Sequence, residues 1–357
     1  MKISKNRPLK IMGGGISGLV AAILLKKNGY DPIIYEKKIQ CGFGRNNDIE
    51  GLETWNFIQN PISFIRSLDI PINFNFKSET QFEVHFDNSP SLMIKDKNPF
   101  FHFIKRGSDI GDIDKELQTY ALSLGCEIRF NYTPKKEHMS IIATGTNHAK
   151  AYIQGYTFKT SLSNQTHLFL NDALSKTGYG YLIIWNGNAT LAVAYKKIDD
   201  KNKDISNRLV KILEKKVDLK LPKNSKKFSN YGCFDINATK IDKFGKIYIG
   251  EAGGFQDYLF GFGMNSAIVS SFLAIKSITE NENFIKLINK SIMPQMRASL
   301  VNRYLYQNLS ERHKYNICRL LSKSKSPLTI IREKSKYSMK KKLFFNIFRK
   351  KLDTLKI

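Results

Sequence analysis

Glycines 13, 15 and 18 fall in the run Lys10-Ile11-Met12-Gly13-Gly14-Gly15-Ile16-Ser17-Gly18-Leu19, and Glu36 closes the apolar run Pro32-Ile33-Ile34-Tyr35. A Gly-x-Gly-x-x-Gly turn between an apolar strand and an Ala- and Leu-rich helix has a mechanical use at each position. Gly13 makes the tight turn, Gly15 lets the backbone approach a pyrophosphate, and Gly18 lets the helix pack close to the sheet. The first backbone N–H groups of the helix, from Ile16 and Ser17 onward, then point at phosphate oxygens, where the helix dipole favours an anion. Glu36 stands where a carboxylate accepts from ribose hydroxyls. The spacing predicts a dinucleotide-binding βαβ unit. A signal peptide or a membrane span is not expected, because glycines interrupt the apolar stretch and the run from Ile11 to Leu25 is shorter than the ~20 residues a spanning helix needs.

A second glycine cluster follows far downstream, in Lys246-Ile247-Tyr248-Ile249-Gly250-Glu251-Ala252-Gly253-Gly254 and, after Phe255-Gln256-Asp257-Tyr258-Leu259-Phe260, in Gly261-Phe262-Gly263-Met264-Asn265. A short strand ends in a small-residue turn, and a second glycine pair opens an Ala- and Ser-rich helix. The same logic of backbone amides and a helix start aimed at electron-rich oxygens applies. One nucleotide cofactor held from both ends of the chain is the economical reading.

The stretch from Gly250 to Met264 resembles, without a gap, the Gly-Asp-Ala-Ala-Gly-Phe-Val-Asp-Pro-Leu-Thr-Gly-Glu-Gly-Ile motif of the FAD-dependent oxidoreductases of the geranylgeranyl reductase group, relatives of the aromatic hydroxylases. The resemblance implies FAD as cofactor. It puts Glu251 in the place of the aspartate that binds the flavin ribitol, and Gly261, Gly263 and Met264 at the pyrimidine end of the ring. Tyr258, Phe260 and Phe262 replace Pro, Thr and Glu, implying a more aromatic rim. Arg45 resembles the arginine that reaches the flavin phosphates or ring edge, although a surface arginine is the plainer alternative. Arg106, before the helix pattern from Asp112 to Leu124, resembles an Arg-Gly segment that meets the cofactor. Ile141-Ile142-Ala143-Thr144-Gly145 looks like the strand that returns to the FAD site, with Gly145 against the pyrophosphate.

Alternating patterns over 80–95 and 152–197, with Asn186-Gly187 as a tight turn, predict a sheet-rich insert. Period two places Tyr179, Tyr181, Ile183 and Trp185 on one face. This coincides with the Tyr-x-Trp-x-Phe-Pro motif that lines the prenyl tunnel of the group, here Tyr-x-Tyr-x-Ile-Ile. A substrate wall and an ordinary core stripe are both open. The expected fold class is α/β: a Rossmann-type FAD-binding domain (1–78, 101–150 and 240–280), an inserted β-rich substrate domain (79–100 and 151–239) and a C-terminal helical, basic region (281–357). Reduction of an alkene needs a weak acid beside the hydride donor. Cys41, Tyr179 and Tyr181 are the candidates, with an inert buried thiol as the alternative for Cys41.

Net charge is +26, and sixteen Lys and Arg against three acidic residues lie in 301–357. Within it, Met339, Leu343, Phe344, Ile347, Phe348 and Leu352 recur at helical spacing between basic flanks. The segment 339–352 reads either as a helix lying on an anionic membrane surface or as one docked on the protein's own core. Nucleic acid comes third as a use for the charge. Four scattered cysteines and histidines 85, 102, 138, 148, 167 and 313 show no pairing pattern, so spacing predicts neither disulfides nor a metal site. With no second dinucleotide fingerprint, NAD(P)H must visit the flavin, or a ferredoxin-like donor must serve. A cytoplasmic enzyme, peripheral on the membrane face, acting on an apolar small molecule follows. The alternatives are a flavin monooxygenase of hydrophobic or aromatic compounds and a polyanion-binding module.

Overall fold

Strand Leu9–Met12 pairs in parallel with Pro32–Tyr35, and helix Ile16–Lys27 makes the crossover between them. Residues Ile16 to Leu25 of that helix are all buried, as expected of a helix that is apolar on every side. Its entry depends on two backbone approaches. Gly13 has φ of +108°, and a Cβ on it would lie 2.4 Å from the Ala143 carbonyl oxygen; a Cβ on Gly18 would lie 1.9 Å from the Gly13 oxygen. These are the turn and the close packing that the spacing calls for.

The computed structural model describes residues 7–146, 148–200 and 204–353. The chain forms two compact units, Met1–Phe76 with Ile104–Asn147 and Cys233–Ser299, and Lys77–Phe103 with His148–Gly232 and Leu300–Ile357. In the first, five strands run in the order Ile247–Tyr248, Ile141–Ile142, Leu9–Met12, Pro32–Tyr35, Glu127–Arg129, all paired in parallel. Helix Met264–Thr279 packs on Ile16–Lys27, and the Ser271 hydroxyl donates to the Ser17 carbonyl at 2.8 Å. Fold class is therefore mixed α/β with a Rossmann-type parallel sheet.

The second unit holds a seven-stranded sheet ordered Lys226–Gly232, Ala151–Lys159, Asn188–Tyr195, Tyr179–Trp185, Gln165–Phe169, Gln81–His85, Leu92–Lys95. Asn186 and Gly187 turn with φ of 49° and 70° between Trp185 and Asn188, the left-handed pair that a two-residue hairpin requires. Leu182 and Ile184 on one face of their strand join Leu209 and Leu213 of helix Ile205–Val217 in the core. Burying each such side chain contributes about 1.5–3 kcal/mol.

Two sequence expectations need correction here. His85 and His167 do pair: their strands lie side by side in parallel, and Nε2 of one is 2.9 Å from Nδ1 of the other. Burial lowers both imidazole pKa values, that of His85 to about 4. The pairing joins strands far apart in sequence, which spacing along the chain does not reveal. The tail also differs from a single apolar stripe. In helix Met339–Asp353, Phe344 and Phe348 pack on Tyr304, and Phe345 is buried against Tyr337, whereas Met339, Leu343 and Ile347 are 79%, 63% and 65% exposed. The Leu352 side chain lies outside those described. Among the described residues no helix is long and apolar enough to cross a membrane.

Replacing Gly18 by Val puts a branched side chain into the Gly13 carbonyl. Urea unfolding of Gly18→Val is expected to show a loss of about 1–3 kcal/mol or more; a midpoint equal to that of the parent would contradict the close approach.

Candidate functional site

The helix Ile16–Lys27 begins at Gly15 with no side-chain cap and no acidic residue in its first turn. Its leading N–H groups therefore have no side-chain cap, and no acidic residue of the helix itself offsets the positive end of its dipole. Gly15 itself is in ordinary extended backbone, and a Cβ there would meet nothing within 4 Å. Its lack of a side chain serves no packing need. A phosphate approaching the backbone would explain it.

Glu36 lies at the end of strand Pro32–Tyr35 and accepts from the Gly14 N–H at 2.7 Å and from the Lys38 N–H at 2.9 Å. Cys41 packs beside it, since a Cβ on Gly14 would fall 2.7 Å from its sulfur. The thiol is fully buried, and burial followed by the charges of Glu36 and Asp114 pushes its pKa far up. Cys41 thus sits beside Gly14 and Glu36, sealed from solvent.

The late glycine cluster arrives at the same place. The Ile249 N–H donates to the Ile142 carbonyl at 3.0 Å, and a Cβ on Gly250 would lie 2.7 Å from the Ser17 hydroxyl. Gly145 follows strand Ile141–Ile142, and a Cβ on it would lie 3.4 Å from Glu251 Oε2. Glu251 Oε1 accepts from the Cys233 N–H at 2.7 Å. Burial raises the Glu251 pKa to about 7, with Arg45 pulling the other way. Gly261 has φ of +72°, and its carbonyl accepts from Gln256 Nε2 at 2.7 Å; Gly263 then starts helix Met264–Thr279, again without a side-chain cap or an acidic residue in the first turn.

Arg45 and Arg106 are both held by carboxylates. Arg106 makes two hydrogen bonds to Asp114, at 2.8 and 2.9 Å, and one to Glu50 at 3.2 Å. Arg45 also bonds Glu50, while its Nε faces Asp48 at 3.6 Å, an ion pair too long for a hydrogen bond. Burial alone would raise the Glu50 pKa, but the two guanidinium groups hold it at about 2. Each of the three guanidinium nitrogens of Arg106 thus meets a carboxylate. The Arg45 Nε has no hydrogen-bond acceptor among the described residues.

Several neighbours of the late cluster escaped the sequence reading. Tyr258, expected at a rim, is buried: its ring lies 4.8 Å from that of Phe234 and its hydroxyl accepts from the Ile236 N–H at 2.8 Å. Trp55 instead meets Phe262 edge-on at 5.5 Å, with Phe260 6.3 Å further along. Behind them, Asn265 Nδ2 donates to the Glu53 carbonyl at 2.6 Å, and Ser299 donates to a buried Asp257. Glu53 is fully buried beside Asn56 and Asn265, and neither carboxylate oxygen has a hydrogen-bond partner among the described residues. Burial lifts its pKa to about 8, so near neutrality it holds a proton. Only a short strand and a following loop carry Glu53, Trp55 and Asn56, with no motif around them to mark the position.

Tyr179 and Tyr181 belong to the second unit. They are half-buried on the face of their strand opposite Leu182 and Ile184, with ring centroids 6.2 Å apart.

Residues 11–50 match the family profile of an NAD(P)-binding Rossmann-like domain. No curated protein matches the chain by sequence. Among solved structures, a geranylgeranyl bacteriochlorophyll reductase-like protein from Thermoplasma acidophilum superposes with a TM-score of 0.71 at 14% identity, over 96% of this chain and 98% of that one. The flavin-dependent brominase Bmp2 gives 0.59 at 16% identity, over 96% and 99%. CtdE, solved in complex with FAD and a substrate, gives 0.58 at 15%, over 98% and 99%. The chain has the fold of these flavoproteins.

Glu53 binds its proton more tightly in the folded chain, with a pKa of about 8 against an ordinary 4.5. The stability this contributes is present at low pH and is lost as pH rises through that window. Relative to the parent, Glu53→Gln is expected to gain stability between pH 5 and pH 8, on the order of a few kcal/mol at the upper end. Urea unfolding at the two pH values checks this, and an equal difference at both would mean the carboxyl is ionised in the fold.

Proposed function

We propose that the protein is an FAD-dependent oxidoreductase that reduces C=C bonds of a long apolar substrate of the prenyl or isoprenoid class, taken from a membrane surface. The observation that carries the cofactor assignment is the meeting of the Gly13–Gly18 turn, Gly145 and Gly250–Glu251 around uncapped helix starts. The residues present fit the group. Gly13, Gly15, Ile16, Ser17 and Gly18 would hold the pyrophosphate through their backbone, Gly145 would close against it, and Glu36 would accept from the adenosine ribose.

Arg45 would reach the flavin phosphates or ring edge, and Arg106 would act by fixing Glu50 and so Arg45. Glu251 would hold the ribitol from its bond to Cys233. The start of the helix at Gly263 and Met264, with Gly261, would hold the pyrimidine end. When bound, FAD supplies the hydride chemistry, and the protein's part is to bind, orient and keep water out. Tyr179 and Tyr181 are assigned to the substrate wall and to proton supply, whereas the sealed Cys41 keeps a packing role. Reducing equivalents come from NAD(P)H or a ferredoxin-like donor.

The fold shared with a flavin-dependent brominase and the Trp55–Phe262–Phe260 cluster support a second reading, oxygenation of a hydrophobic or aromatic compound. Turnover separates the two. Reduction of a prenyl substrate by the chemically reduced protein under nitrogen supports the first, and hydroxylation coupled to oxygen uptake replaces it with the second.

Membrane docking is supported by Met339, Leu343 and Ile347, which lie exposed at i, i+4 and i+8 among Lys340, Lys341, Lys342 and Arg349. Phe344, Phe345 and Phe348 anchor the same helix from its other side. A helix held on one flank and apolar with cations on the other suits an anionic bilayer surface, each cation near it adding about 1 kcal/mol.

Gly15→Val is expected to keep the parent's cofactor-free melting temperature, since its Cβ enters open space, yet to lose FAD affinity by tenfold or more in fluorescence titration. Retained affinity would move the pyrophosphate elsewhere. Leu343→Asp with Ile347→Asp is expected to abolish sedimentation with phosphatidylserine-containing vesicles; equal binding by the double variant would remove the membrane reading.

A further inference from the structure

Glu83 and His85 stand two residues apart on strand Gln81–His85, so they share a face. The parallel neighbour Gln165–Phe169 sets His167 opposite Glu83 in the register. Three ligand-type atoms meet there: His85 Nε2 and His167 Nδ1 are 2.9 Å apart, and Glu83 Oε2 is 3.7 Å from the first and 3.5 Å from the second. A tetrahedral ion with bonds of ~2.0–2.1 Å holds its ligand atoms about 3.3 Å from one another. The observed triangle brackets that spacing.

Hydrogen bonds outside the triangle orient two of the three groups. His167 Nε2 lies 2.8 Å from the Gln165 amide oxygen, which can only accept, so the proton is on Nε2 and Nδ1 presents its lone pair to the cluster. The Ser91 hydroxyl donates to Glu83 Oε1, leaving Oε2 turned toward the imidazoles. Phe169 stacks on His85 at 5.2 Å and fixes its plane. The histidines are buried, with side chains 5% and 8% exposed, while Glu83 at 28% reaches solvent and marks the side from which an ion enters. Lys216 acts electrostatically on His85 against a cation, and Glu83 acts for one.

From this geometry we infer that Glu83, His85 and His167 form a binding site for a divalent first-row transition metal, with Zn²⁺ the ion its two-nitrogen, one-oxygen donor set suits best. Water completes the coordination from the Glu83 side. The ion clips strand Gln81–His85 to strand Gln165–Phe169, segments that meet only through tertiary folding, and so stabilises the seven-stranded sheet by binding the folded chain alone. The inference is independent of the flavin reading.

The test uses the full chain, stripped with chelator and incubated with zinc chloride. Gel filtration followed by elemental analysis is expected to find one zinc per chain, and the melting temperature is expected to rise by several degrees. Both effects should vanish in His167→Ala and in Glu83→Gln, the second being a mild change at a half-exposed position that keeps the fold if the first does not. Co²⁺ in place of Zn²⁺ should give the intense visible absorption of a tetrahedral site. Zinc that fails to bind stoichiometrically, or that binds the Glu83→Gln variant as tightly as the parent, overturns the assignment.

Discussion

A strand of two residues holds the first unit together. Ile141–Ile142 lies between Leu9–Met12 and Ile247–Tyr248, and backbone bonds run through it from both sides, from the Ala143 N–H to the Met12 carbonyl at 2.8 Å and from the Ile249 N–H to the Ile142 carbonyl at 3.0 Å. Parallel strands cannot be joined by a hairpin, so such a sheet must gather strands from remote parts of the chain. Because each strand is followed by its own turn at the same end of the sheet, parallel pairing brings three turns together: Gly13–Gly15, Gly145 and Gly250. Convergence of the glycines is thus a consequence of sheet register and needs no further contact between them.

Beneath those turns lies a second constraint, set by charge. Two guanidinium groups share Glu50, and Asp114 and Asp48 balance them. Desolvating so many charges is expensive, and the direct bonds of the guanidinium groups to Glu50 and Asp114 offset that cost, while Arg45 Nε and Asp48 Oδ1 are left without a hydrogen bond among the described residues. The exposed lysines that give the chain its large positive charge differ in kind: water solvates them, and they act at long range on whatever anionic surface approaches. Two separate populations of basic residues, one fixed and one solvated, therefore coexist in a single strongly basic chain.

The Rossmann turn, the crossover helix and the second glycine cluster were legible because their residue types are dictated by backbone geometry. Only glycine tolerates φ of +108° at position 13 or a carbonyl oxygen 1.9 Å from a would-be Cβ at position 18. The hairpin at Asn186-Gly187 was legible for the same reason. Side-chain convergence was not. Glu53, Trp55 and Asn56 gather near Asn265 and Phe262 only after folding, and His85 finds His167 only because two parallel strands lie side by side. Tyr258 was misjudged because alignment with a motif gives a residue's place in the backbone and says nothing of which way its ring turns. The tail divided two alternatives: its phenylalanines pack inward while Met339, Leu343 and Ile347 remain outside, a split between neighbouring helical faces that periodicity blurs into one stripe.

The interleaving of the two units along the chain bears on biosynthesis. Helix Ile16–Lys27 is apolar on every face and is translated before helix Met264–Thr279, which covers one side of it and follows only after the whole seven-stranded sheet. At ~5–20 residues per second the interval is on the order of ten seconds or more. Throughout it, the most hydrophobic helix of the first unit stays partly uncovered on the nascent polypeptide, which makes the growing chain a natural client for chaperones.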